Sequence, residues 1–95
     1  ECVHVVTASE NLVSDGIELP IAGRALNAEL ADVVSGHPNA QLLHWGRLQD
    51  ATALRRDDPQ ALTFDGIHPD GDGLAVLAEA YAGVLDDCGR PWYLP

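Results

Sequence analysis

The sequence predicts an α/β chain with parallel strands. Three observations carry this. Residues 2–8, "CVHVVTA", form a short apolar β-branched run. Residues 21–36 repeat apolar positions every three or four residues. Residues 40–45, "AQLLHW", form a second short apolar run. A strand, a helix and a strand in that order imply parallel strands joined by a right-handed crossover.

The first run reads as a buried strand by length and β-branching. His4 interrupts it, and a satisfied core or edge histidine accounts for that position better than a ligand does. Residues 9–20 carry turn chemistry in Asn11, Ser14, Asp15-Gly16 and Pro20. In the helical segment Ile21, Ala25, Leu26 or Ala28, Leu30, Val33 and Val34 mark the periodic face. Pro20 suits its start, and Gly36 with Pro38 its end. Residues 46–63 are mixed, with one or two helical turns expected within "LQDATALRRDDPQAL". Arg55-Arg56 beside Asp57-Asp58 read as a solvated, self-neutralising patch. The last helix places Leu74, Leu77, Ala78, Tyr81, Val84, Leu85 and Cys88 on one face, with Gly89 and Pro91 as its stop. The tail "RPWYLP" is aromatic and proline-rich.

Two parallel strands do not form a stable sheet alone, because parallel sheets need both faces covered and more strands. Residues 1–95 are therefore expected to be the C-terminal fragment of one larger domain. Further strands would come from a missing N-terminal segment or a partner chain. Glu1 runs straight into an apolar stretch, which reads as a cut or processed chain.

Charge excludes some functions. Fifteen acids face five arginines and no lysine, a formal net charge of -10. Such a surface repels phosphate backbones and anionic bilayers, so no nucleic-acid partner is expected. No apolar run approaches the ~20 residues that span a bilayer. Cys2 and Cys88 leave two readings open: a pair of buried thiols, or a disulfide joining the first strand to the last helix, which would imply an oxidising compartment.

The chemistry concentrates in "FDGIHPDGDG", residues 64–73. Pro69 disfavours helical geometry at His68 and itself suits the first helical position. Asp70 and Asp72 then fall in the first turn, at the positive end of the helix dipole. His68 is expected on a loop at the rim of the sheet, where ligands gather in open α/β folds. Asp65 lies three residues earlier, across Gly66, which lets the backbone curl. A carboxylate there can accept the imidazole Nδ1–H and leave Nε2 to take a proton from a nucleophile. Against this stands an ordinary Asx turn with a surface histidine.

The string D-G-I-H-P, with a glycine four residues after the proline and a closing amphipathic helix, resembles the C-terminal block of the SGNH (GDSL-like) hydrolase superfamily. "RALNAELADVVSGHPNAQLLHW" resembles the penultimate helix and final strand of the same superfamily, as in SGNH domains associated with membrane acyltransferases. The resemblance covers about residues 3–88. It implies a three-layer α/β/α, flavodoxin-like fold and a serine ester hydrolase or O-acyltransferase acting on a small-molecule or carbohydrate ester, outside the cytoplasm. It assigns His68 as general base and Asp65 as its orienting acid, with no cofactor. The superfamily's nucleophile and oxyanion blocks are absent. The serines here are Ser9, Ser14 and Ser35, none in a G-D-S or G-x-S-x-G setting, and Ser9, which follows a strand, is the least poor of them.

Two other classes compete. His68, Asp70 and Asp72, with Asp65 nearby, alternate with glycine as in calcium loops, but the twelve-residue spacing and closing glutamate are missing. His37 and His44 are too isolated to read as zinc ligands. A non-catalytic α/β module for binding or scaffolding is the other alternative, with Asp65 and His68 serving as capping devices. Trp45 and Trp92 read as burial against the sheet rather than as a cleft lining.

Overall fold

The computed structural model describes residues 2–11, 13–14, 17–83 and 88. The Asp15-Gly16 pair, Val84, Leu85, Gly89, Pro91 and the Trp92 tail lie outside the described residues.

The chain forms a small α/β domain. Strand β1 (Val3–Val6) is followed by β2 (Val13–Ser14) and β3 (Ile17–Glu18), helix α1 (Pro20–Ser35), β4 (Ala40–Leu43), α2 (Trp45–Arg56) and α3 (Gly71–Ala82). β1 and β4 pair in parallel, from Val3 opposite Ala40 to Val6 opposite Leu43. β2 and β3 make a separate antiparallel pair. The order strand–helix–strand is as expected, and α1 packs against β4. Pro20 opens α1 where its missing N–H costs nothing. His4 is satisfied across the sheet, its Nδ1 3.2 Å from Gln41 Nε2.

Several local expectations are corrected. The strand 40–45 ends at Leu43, and Trp45 is the first residue of α2. Residues 46–63 hold a full helix of 12 residues with Trp45, not one or two turns. Its buried face is Trp45, Gly46, Gln49 and Thr52, while Leu54 is exposed. Three of those four residues are not apolar side chains, so hydrophobic periodicity missed the helix. Pro69 is not the first residue of α3. Asp70 is the N-cap, and its carboxylate accepts the Gly73 N–H at 2.8 Å. A capping carboxylate satisfies an orphan helical donor, and the first helical residue is Gly71, two residues after Pro69. Arg56 also pairs with Asp72 at 3.9 Å rather than with the neighbouring Asp57 and Asp58.

Cys2 and Cys88 form a disulfide, with Cα atoms 5.0 Å apart, but Cys88 (φ 54°) is not on the last helix as expected, since α3 ends at Ala82. The core is small. Leu43, Trp45, Ala61, Leu62 and Ala80 are its buried apolar residues. The periodic stripe of α1 is only partly covered, with Leu30 and Val34 half-buried but Ile21, Leu26 and Val33 exposed. A sheet of two strands is too narrow to cover a 16-residue helix.

Candidate active site

The segment between α2 and α3 folds into a tight loop pinned from three sides. Thr63 and Pro69 bridge antiparallel, Phe64 N–H donates to His68 O at 3.0 Å, and Asp70 N–H donates to Leu62 O at 3.0 Å. Leu62 is buried and left-handed (φ 69°). Its carbonyl also meets α3 closely, since a Cβ on Gly73 would lie 1.9 Å from it.

Gly66 is the pivot. Its φ is +91°, a conformation open mainly to glycine, and a Cβ there would lie 1.7 Å from Val13 O. Its N–H donates to Thr63 Oγ1 at 2.9 Å, and its carbonyl accepts from buried Gln49 Nε2 at 3.0 Å. The loop is thus held by β2, by α2 and by its own first residues.

Asp65 uses both carboxylate oxygens within the loop. Oδ1 accepts the main-chain N–H of Ile67 at 2.9 Å and of His68 at 2.8 Å. Oδ2 lies 2.6 Å from His68 Nδ1. A carboxylate only accepts, so Nδ1 carries the hydrogen and the neutral ring presents a lone pair at Nε2. The main-chain hydrogen bond from His68 is the largest influence on the Asp65 carboxyl. With the His68 ring and the Ile67 N–H it holds the group well below the usual carboxylate range. The Asx turn and the Asp–His pair, set against each other on sequence grounds, coexist in one carboxylate. The His68 side chain is 74% exposed, and Asp65 is its only side-chain partner among the described residues. Nε2 is open to an incoming group.

No described serine is hydrogen-bonded to His68. Ser9 is buried, and its hydroxyl donates to Asp50 Oδ1 while accepting from Asn11 N–H at 3.0 Å. Ser35 donates to Asp32 O at the end of α1, and Ser14 lies on β2, whose backbone abuts the loop at Gly66. The acids weighed as a metal loop are engaged apart: Asp65 on His68, Asp70 on the cap of α3, Asp72 near Arg56. Among the described residues no group of three His, Cys, Asp or Glu side chains converges as metal ligands.

An apolar cavity of about 420 Å³ opens beside the loop. Ile67 and Pro69, which flank His68, line it together with Val6, Leu26, Trp45 and Leu77. Trp45 is therefore both buried and part of a cleft wall.

Sequence reasoning did not find Gln49, Thr63 or the network under residues 7–11. There Thr7 Oγ1 accepts the Gly46 N–H at 3.1 Å, and Asn27 both accepts from Ala8 N and donates to Ala8 O, each at 2.8 Å. A signal existed in two helical glycines. A Cβ on Gly23 would lie 2.0 Å from Ser9 O, and one on Gly46 1.8 Å from Ala8 O. Glycine inside a helix pattern marks such close backbone approach.

No protein-family model, curated protein or solved structure matches this chain. No helix among the described residues is long and apolar enough to cross a membrane.

Proposed function

We propose that Asp65 and His68 are the acid–base half of a serine-type ester hydrolase or O-acyltransferase of the SGNH kind. One observation carries this reading. Asp65 orients the imidazole through Nδ1 at 2.6 Å and leaves Nε2 exposed on a rigid loop. In this role His68 takes the proton of an attacking hydroxyl and returns it to the leaving alcohol, while Asp65 fixes the tautomer and stabilises the imidazolium.

The nucleophile and the oxyanion donors come from polypeptide beyond these 95 residues. Burial and the Asp50 bond argue against Ser9 as that nucleophile. The same outside polypeptide adds strands to the β1–β4 pair and completes a flavodoxin-like three-layer sheet. The exposure of Ile21, Leu26 and Val33 on α1 and Leu74 on α3 supports this, since a larger layer would cover such residues. The substrate is a small-molecule or carbohydrate ester. The Cys2–Cys88 disulfide supports work in an oxidising, extracytoplasmic compartment.

The test joins this chain to a segment bearing a Gly-Asp-Ser serine and assays p-nitrophenyl acetate hydrolysis. His68→Ala should lower kcat/KM by at least about 10³-fold. Equal activity with and without His68 would end the proposal.

A second reading, a non-catalytic binding or scaffold module, draws on the same Asx geometry. Asp65 would stabilise the loop whether or not His68 did chemistry. If the segment encoded upstream of Glu1 lacks a presented serine, this reading prevails.

A further inference from the structure

A second cleft plays no part in the Asp65–His68 pair. It is an open cavity of about 490 Å³ beyond the carboxyl ends of β1 and β4, bounded by α1 and α2. Two arginines line it, Arg24 from α1 and Arg47 from the first turn of α2. Asn27 and His44 stand beside them.

In a chain with fifteen acids and five arginines, each guanidinium has many possible carboxylate partners. Arg56 has one in Asp72. Among the described residues neither Arg24 nor Arg47 has a carboxylate at ion-pairing distance. Two acids also line the cleft, Glu10 and Asp50, and both carry other hydrogen bonds. Asp50 Oδ1 accepts the Ser9 hydroxyl, and Oδ2 accepts the Glu10 N–H at 2.9 Å. Glu10 Oε2 accepts from Asn27 Nδ2 at 3.1 Å. These bonds tie Asp50 to the segment after β1 and Glu10 to Asn27 of α1. Each guanidinium keeps its fork of N–H donors for a ligand.

The Arg47 charge is felt at the neighbouring His44 ring. Partial burial lowers the His44 pKa, and the Arg47 charge lowers it further. The amino end of α2 adds to this, with no acidic residue in its first turn, although Thr7 Oγ1 already accepts the Gly46 N–H. We propose that the cleft binds a small oxyanion, a carboxylate or phosphate group of a small molecule, between Arg24 and Arg47. Guanidinium forks match the paired oxygens of both groups. The cleft shares Thr7 and Ala8 with the apolar cavity walled by Ile67 and Pro69. A ligand anchored by its acid therefore lies at the same end of the sheet as His68. The binding itself is independent of any catalysis there.

The experiment titrates the full chain with inorganic phosphate, and separately with acetate, at constant ionic strength, following backbone amide shifts by NMR. At least one probe should give saturable shifts centred on residues 24, 27, 44 and 47. Arg24→Gln and Arg47→Gln should each weaken binding at least about tenfold. Arg55→Gln, on the same helix α2 but outside the cleft, should leave it unchanged. Glu10→Gln keeps an acceptor for Asn27 while removing a repelling charge, and should tighten binding. The absence of saturable shifts with both probes would overturn the proposal. So would an Arg55→Gln effect as large as those of the cleft arginines.

Discussion

Gln49 on α2 reaches across the molecule and donates to the carbonyl of Gly66, 3.0 Å away, inside the loop that carries His68. The bond ties a polar residue with no catalytic chemistry of its own to the geometry of the candidate base. Gln49→Ala leaves the buried Gly66 carbonyl unpaired. It should cost about 1–3 kcal/mol, read from urea denaturation. A loss within experimental error would mean that the loop is held without α2.

Gly66 itself should tolerate no side chain. Gly66→Ala brings a methyl within 1.7 Å of Val13 O at a φ of +91°. Strain and collision together should destabilise the chain by more than about 2 kcal/mol. Gly71→Ala is the matched control, because a Cβ there meets nothing within 4 Å. Its thermal midpoint should change little.

The two acids at the start of α3 should behave differently. Asp70 caps the helix through Gly73 N–H, so Asp70→Ala should cost about 0.5–2 kcal/mol. Asp72 has an exposed, long contact with Arg56, and Asp72→Ala should cost at most about 1 kcal/mol. Equal losses from both would remove Asp70 from the capping role.

Reducing the Cys2–Cys88 bond opens a loop of 86 residues. Chain-entropy reasoning puts the loss at about 2–5 kcal/mol. The urea midpoint should fall on adding dithiothreitol, and Cys2→Ser should fall equally without it. Thiol labelling of the native chain before reduction should be negligible.

Acid should destabilise the fold in two windows. His44 has a lowered folded pKa, so the unfolded chain binds its proton more readily. Stability therefore declines as pH falls below about 6.5, until the folded group also titrates. Asp65 is also depressed in the fold, so its contribution is present above about pH 4 and is lost as pH falls further. Urea midpoints should drop from about pH 8 to 5, and again from about pH 4 to 2. Arg47→Gln should move the His44 NMR titration upward, and no movement would mean that the guanidinium is not felt at the ring.

Much of the scaffold was legible because it obeys periodicity. The β-branched run became β1, and the three-and-four spacing marked α1 and α3. Asp65 and His68 were legible as a pair because three-residue spacing, a pivoting glycine and a following proline restrict one short loop. α2 was not, because its buried face is Trp45, Gly46, Gln49 and Thr52, selected for close approach and hydrogen bonding rather than hydropathy. The Ser9–Asp50 contact joins residues 41 apart in sequence, and no local pattern reports such a meeting.

The disulfide also decides how the molecule carries load. Tension applied through polypeptide on either side of residues 2 and 88 passes from sulfur to sulfur and bypasses the fold. About 290 Å of contour, at ~3.4 Å per residue, is taken out of the force path. With the bond closed, the His68 loop stays slack while the chain around it is pulled; with the bond reduced, the same pull runs through β1, α3 and everything between them.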